Sequence, residues 1–394
     1  MASTLPDHPY LDFAVKLHKQ LVSQSDRREN ILYSPLSISA ALSMMLAGAR
    51  GKTATELRAV LRSQDSCIFY RHFDGLFSND ASATDGVKVH SANRIYCDQA
   101  FPVLHSYRSL LWDTYGAAIE SVDFREDFEN VRQRINSWIE NVTESKIKGY
   151  LCPESLDALT TMILVSAVHI KGFWECQFSP TKTISSCFFG SKAIREAFMM
   201  NQMGQYKTAS CDDLNVRAVE IPYRGGKSTM VVILPNERNG LFALEKRLTA
   251  PKLGHLLKNL CYRGDVFLYL PKFKLEQAVD FKVTLQGIGI KDLFTPEADL
   301  SDISEAANLF PTGLFHKVVL EVNEDGKEVH PAYAVTMMFK QATLLNLNCQ
   351  FVVDRPFMFL VLRADRGRKG LTPPLDTYIF QVATTRLGNI SNST

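Results

Sequence analysis

The run Met337-Met-Phe-Lys340 gives the chain its clearest chemical handle. An apolar patch ending in one basic side chain is a bait that a protease can bind and cut. Lys340 would suit a trypsin-like pocket with a buried carboxylate, through a charge-assisted pair. Phe339, with Met338 before it, would suit a chymotrypsin-like slot instead. The bait lies in a connection, residues 327–350, with no good helix cap and no hydrophobic face. A connection of that length inside a compact fold is usually either functional or disordered. An unspecialised loop that any protease nicks is the plainer alternative. On one side stands Lys317-Val-Val-Leu-Glu-Val-Asn-Glu324, a β-branched and aliphatic strand closed by the Asp325-Gly326 turn. On the other, residues 351–362 form a second apolar strand broken by Pro356.

Catalytic chemistry of the chain's own finds little support. There is no G-x-S-x-G elbow, no H-E-x-x-H helix and no phosphate-cradling G-x-x-x-x-G-K-[ST] loop. Gly287-Ile-Gly289 lacks the third glycine of a dinucleotide site. The nine histidines are dispersed, and His169, inside an apolar strand pattern, reads as a hydrogen-bonded core residue. We therefore expect no enzyme activity, no cofactor and no metal. Arg363, Arg366, Arg368 and Lys369 read as a solvated turn.

Among 394 residues no Pro/Gly/Ser-rich stretch divides the chain before residues 366–374, so a single domain over 1–394 is expected, with an atypical tail at 363–394. The apolar fraction of 46% suffices for one large core, and a net charge of +2 gives no general attraction to nucleic acid or membrane. The longest apolar stretches, 37–49 and 162–170, fall short of a bilayer span. Eight scattered cysteines without a CxxC pair read as free thiols. Residues 6–22 pass directly from Pro6 and Pro9 into an amphipathic helix pattern (Leu11, Val15, His18, Leu21, Val22) with no signal-peptide pattern before it. A cytoplasmic protein is the expectation, with secretion the alternative if a leader was removed or release is unconventional. In that case the sequons at Asn141, Asn389 and Asn392 become usable.

The elements that must position the bait follow from periodicity. Helices dominate the first 150 residues, and Val131, Ile135, Trp138, Ile139 and Val142 recur at the spacing of one packed helix face. Strands are predicted over 163–170, 216–221, 229–234, 265–270, 318–322 and 351–362. Helices followed by non-alternating strands indicate an α+β fold.

A family resemblance sharpens this. Asn30-Ile-Leu-Tyr-Ser-Pro-Leu-Ser-Ile-Ser-Ala-Ala-Leu42, Ala92-Asn-Arg94, Ile135-Asn-Ser-Trp138, Lys171-Gly-Phe-Trp174, Ile221-Pro-Tyr223 with Leu234-Pro235, Leu270-Pro-Lys-Phe273 and Glu321-Val-Asn-Glu-Asp-Gly326 occur in the order found in serpins. The chain resembles that family over roughly residues 10–362. The resemblance implies three β-sheets, about nine helices and an exposed reactive-centre loop at about 327–349. It also explains Gly287-Ile-Gly289 as a helix-ending loop.

What the resemblance implies mechanistically is a suicide substrate for a serine protease, one monomer per target. The protease serine attacks the bait bond, and the cut loop enters the large sheet as a new strand. In the family the scissile residue lies fourteen positions after the hinge glycine. Counted from Gly326 that is Lys340, followed by Gln341, with Phe339 the alternative. The hinge would comprise Glu324, Gly326, Lys327, Val329, Pro331 and Tyr333. After insertion alternate residues face the core, so Lys327, Val329, Pro331 and Tyr333 would be buried. A lysine there is costly, a proline lacks a ladder donor, and a tyrosine is bulky. A non-inhibitory serpin (protease substrate, carrier or chaperone) is therefore the competing expectation. Two further departures stand out: Ser166 replaces the family's asparagine, and no glycine-bearing closing strand follows residue 362 where the family has one. Residues 376–383 can replace that strand, or else the tail packs badly.

Overall fold

The computed structural model describes residues 9–25, 29–62, 86–191, 193–325, 350–364 and 377–385. Among them are eight α-helices: α1 (Pro9–Gln24), α2 (Pro35–Gly48), α3 (Gly51–Leu61), α4 (His105–Tyr115), α5 (Phe124–Val142), α6 (Leu241–Arg247), α7 (Ala250–Lys258) and α8 (Lys282–Gly287). The residues predicted as free thiols fit where described: Cys97, Cys152, Cys176, Cys187, Cys211 and Cys261 form no disulfide.

The large sheet has five strands in the order β10 (Phe273–Asp280), β11 (Gly313–Val322), β4 (Met162–Gly172), β2 (Val87–Asp98) and β3 (Ala118–Val122). Helix α5 covers one of its faces. Val131, Ile135 and Ile139 pack with Ala92 and Tyr96 of β2, Ile163, Val165 and Ala167 of β4, and Val319 of β11. This is the face read from periodicity, and Asp123 caps the helix by accepting from the Glu126 amide. Helix α2 backs the opposite face. Its residues are buried around nearly the whole circumference, and its start is fixed by Ser34 and a proline at the first turn.

The remaining strands form one hydrogen-bonded network. It runs β1 (Ile31–Tyr33), β14 (Thr377–Thr385), β13 (Phe357–Ala364), β8 (Ser228–Pro235), β7 (Val216–Pro222), β6 (Ile194–Cys211), β9 (Cys261–Pro271) and β12 (Gln350–Val352), with β5 (Ile184–Phe189) beside β6. The two smaller sheets expected from the resemblance are joined through β6, whose pairing with β9 shifts register between Gln205 and Lys207. The apolar run 351–362, read as one strand, is divided at Pro356 into β12 and β13. Proline cannot donate to a ladder, and the chain turns there from β9 to β8. Strand β14 pairs antiparallel with both β13 and β1, so a segment lacking the expected glycine fills the closing place. Gly289 ends the α8 region at φ 116, as anticipated for that loop.

Candidate functional site

In the large sheet β4 and β11 lie side by side and parallel, in unbroken register from Gly313 opposite Ile163 to Glu321 opposite Lys171. Strand β11 thus delivers Asn323, Glu324 and Asp325 to the end of β4, where they are held by several bonds. The Trp174 amide donates to the Asp325 carbonyl at 3.0 Å, and its indole Nε1 donates to the Asn323 carbonyl at 2.8 Å. Lys171 Nζ lies 2.7 Å from the Asp325 carboxylate and holds it below its ordinary pKa. Burial pushes the Glu324 carboxyl up. Its own amide, the Lys272 ammonium at 3.1 Å and the Thr183 hydroxyl at 2.9 Å outweigh this and leave it below the usual value.

The indole is itself fixed. Tyr223 stacks on it at 4.7 Å and Phe178 meets it edge-on at 5.9 Å. Tyr223 lies so close over Gly172 that a Cβ there would approach its ring to 2.1 Å, which is why this position takes glycine. The far end of the connection is anchored on another sheet. Strand β12 runs parallel to β9, and the Val353 amide donates to the Tyr269 carbonyl at 3.0 Å. The connection therefore leaves one sheet at Asp325 and rejoins a different one at Gln350.

Midway along the seam the two strands are tied by side chains. The Ser34 amide donates to His316 Nε2 at 3.0 Å, which makes Nε2 the acceptor and leaves the proton on Nδ1. Nδ1 then donates to Ser166 Oγ at 2.9 Å, Ser166 to Ser37 Oγ at 2.7 Å, and Ser37 to Asn93 Oδ1 at 3.1 Å. One directed chain of bonds links β11, β4, α2 and β2. Burial pushes the His316 pKa down to about 3, so the ring stays neutral and this tautomer persists. Ser166, at the family's asparagine position, makes the bonds on both of its sides.

Of the residues predicted for the site, Glu324 stands at the first anchor. Gly326, Lys327, Val329, Pro331, Tyr333, Phe339, Lys340 and Gln341 lie outside the described residues. His169 is buried, as predicted, but its Nδ1 has no hydrogen-bond partner. Among the described residues no three His, Cys, Asp or Glu side chains are gathered to hold a metal. Trp174 appeared in the sequence only as part of a family segment. Lys171 and Lys272 likewise appeared only within family segments, and Thr183 and His316 gave no signal of a role, because their partners are distant in the chain. Gln277 reaches across to the Leu32 amide in the same unannounced way.

A segment turning back from Asp325 would run antiparallel to β11 and, because β4 is parallel to β11, antiparallel to β4 as well.

Comparison with known proteins agrees with this geometry. The family model described as Serpin (serine protease inhibitor) matches residues 9–368. Ipis-1 from Ixodes persulcatus is 44% identical over 363 residues, covering 92% of this chain and 96% of that protein. The leukocyte elastase inhibitor from Equus caballus is 34% identical, covering 89% of this chain and 93% of its own length. Among solved structures, uncleaved ovalbumin superposes with a TM-score of 0.86 at 27% identity, covering 96% of this chain and 98% of that one. By the extent of the family match, and by relatives that share its full architecture, the chain belongs to the serpin family.

Proposed function

We propose that this serpin inhibits a trypsin-like serine protease as a suicide substrate, one molecule for one, and catalyses no reaction of its own. The protease serine attacks the Lys340 carbonyl, an ester to Lys340 forms, and the amine of Gln341 departs. The released segment, hinged from Glu324 through Gly326 to Tyr333, then enters between β4 and β11. The observation that carries this reading is the parallel seam that begins at the hinge. One parallel pairing is exchanged for two antiparallel ones, each more stable per residue. The acylated protease is carried along and distorted before water releases it, so the outcome is a race between insertion and deacylation.

A second reading, a serpin cut without trapping its protease, is favoured by Lys327, Pro331 and Tyr333, which slow insertion. A chymotrypsin-like target cutting after Phe339 is the alternative for specificity. For location we keep the cytoplasmic reading. Asn141 is exposed at the end of α5 and would accommodate a glycan if the chain is exported.

The test is incubation with trypsin and with chymotrypsin, followed by a denaturing gel and mass spectrometry of the released fragment. We expect an SDS-stable complex with trypsin and a fragment beginning at Gln341. Cleavage at that bond with no complex establishes the substrate reading, and primary cuts outside 335–348 overturn the bait assignment.

A further inference from the structure

The seam between β4 and β11 carries one more bridge, on the face opposite the His316–Ser166 bond. The Ser166 amide donates to the Tyr150 hydroxyl at 2.9 Å, and that hydroxyl donates to the Phe315 carbonyl, with the Ser166 carbonyl also near at 3.1 Å. In the parallel register His316 stands opposite Ser166 and Phe315 opposite Val165. An amide of one strand and a carbonyl of its neighbour are therefore joined through a side chain. These are backbone groups that an entering strand would claim for itself.

The tyrosine is held there by a built frame. After α5 the chain turns through left-handed residues at Glu144 (φ 49), Ser145 (φ 59) and Gly149 (φ 53). Lys317 of β11 donates to the carbonyls of Lys148 at 2.7 Å and Gly149 at 3.2 Å, immediately before Tyr150. Immediately after it, Leu151 is held at both backbone groups by Asn136 (2.8 and 3.0 Å), and Arg132 donates to the same carbonyl at 2.8 Å. The ring is buried, 4% exposed. Burial also raises its pKa well above the ordinary value, so the hydroxyl keeps its proton as a donor.

We propose that the Tyr150 hydroxyl is a removable stitch across the β4–β11 seam, and that breaking it sets the rate at which the seam opens. On the suicide-substrate reading above, on which this last link rests, that is also the rate of loop entry. An entering backbone takes the Ser166 amide and the Phe315 carbonyl and strands the buried hydroxyl. A phenylalanine at the same place has nothing to lose.

The test compares Tyr150→Phe with Tyr107→Phe in the full, uncut chain. Tyr107 is an equally buried tyrosine whose hydroxyl donates to the Met44 carbonyl at 2.8 Å, away from the seam. Amide hydrogen exchange is read over 162–172 and 313–322. We expect Tyr150→Phe to quicken exchange at the seam about fivefold, the effect of losing one buried hydrogen bond, with Tyr107→Phe leaving it unchanged. Seam exchange that stays at the wild-type rate in Tyr150→Phe, or quickens equally in Tyr107→Phe, overturns the stitch. This readout needs no protease, so it decides the stitch even where no protease is trapped. In loop-cut protein the gain of heat resistance should quicken by the same factor. A faster seam with no faster gain overturns the link to insertion alone.

Discussion

Strands β8 and β13 meet antiparallel, with Ile233, Val232, Val231 and Met230 opposite Met358, Phe359, Leu360 and Val361, all essentially without solvent exposure. Strands β4 and β11 meet parallel, and their contact includes Ser166, His316 and Lys317, with Tyr150 bridging from α5's side. Both contacts are central and buried. An apolar antiparallel ladder offers nothing that a newcomer could replace, since every backbone group already has its preferred partner and every side chain its packing. The parallel seam is held in part by side-chain bonds through His316, Ser166 and Tyr150. Apolar packing dominates one contact and side-chain bridges the other, in different sheets of one molecule.

That contrast can be broken most forcibly at Leu360. Truncation by Leu360→Ala should cost about 3 kcal/mol of global stability in urea unfolding, the usual range for a buried leucine. Hydrogen exchange at the β4–β11 seam should change no more than this global loss dictates. Selective opening of the seam would mean that the two regions are one mechanical unit and the contrast is false.

The next effect is electrostatic. His169 of β4 faces His90 of β2, ring centroids 5.7 Å apart, with Glu144 reaching His90 at 3.7 Å and Lys88, Lys146, Lys171 and Lys274 around the pair. Burial, then the charges of His90, Lys146, Lys274 and Lys171, push the His169 pKa down to about 4. The folded state therefore binds this proton less well than the unfolded chain does. Stability is full above the unfolded value and is lost as pH falls from about 6.5 towards 4. His316, held at about 3, acts in the same sense. His169→Phe should remove about 2 kcal/mol of the loss between pH 7 and 4.5, read from urea midpoints at each pH. An unchanged pH slope would show that the histidine pair reaches water without opening the sheet.

The smallest effect belongs to the hinge. If the loop inserts as proposed, replacing Lys327 with Thr and Pro331 with Ala would remove an ammonium from the buried face and restore a strand donor. If ~1.4 kcal/mol of this reaches the insertion barrier, insertion quickens about tenfold. The number of inhibitor molecules consumed per trapped protease should then fall. A wild type already near one-to-one would show that both residues are tolerated, and that the seam rather than the hinge limits the race.

Much of this was legible in the residues. The helix face of Val131, Ile135 and Ile139 packs on the sheet as its spacing requires, and Asp325, read as part of a turn closing the strand, stands anchored at that strand's end. Strand β2 escaped notice because Lys88, His90 and Arg94 interrupt its apolar pattern on the face turned towards α5. Their polarity is met by Glu144 and Glu120, which no local pattern announces. Arg94 also lies over the Trp138 ring at 3.9 Å, so one charged residue serves as packing. Tyr150 and His316 were equally hidden, since a hydroxyl or ring nitrogen finds its partner only when chain segments about 150 residues apart meet. The replacement of the closing strand by 377–385 was open between two outcomes. The edge of β13 away from β8 decides it, because an apolar strand buried on both faces requires a neighbour.

Strand β1 has a single hydrogen-bonded neighbour among the described strands, β14, and Ile31 pairs with Thr384 some 350 residues later. On a ribosome the first strand is therefore made long before its mate exists. Its edge, and those of the apolar segments packed around it, must wait while some 350 further residues are made. Loop closure over that distance is slow, and waiting edges pair with whatever is near. The time during which this chain is most exposed to aggregation is thus fixed by the speed of synthesis, and a chaperone able to shield Ile31–Tyr33 would act at the step where it matters most.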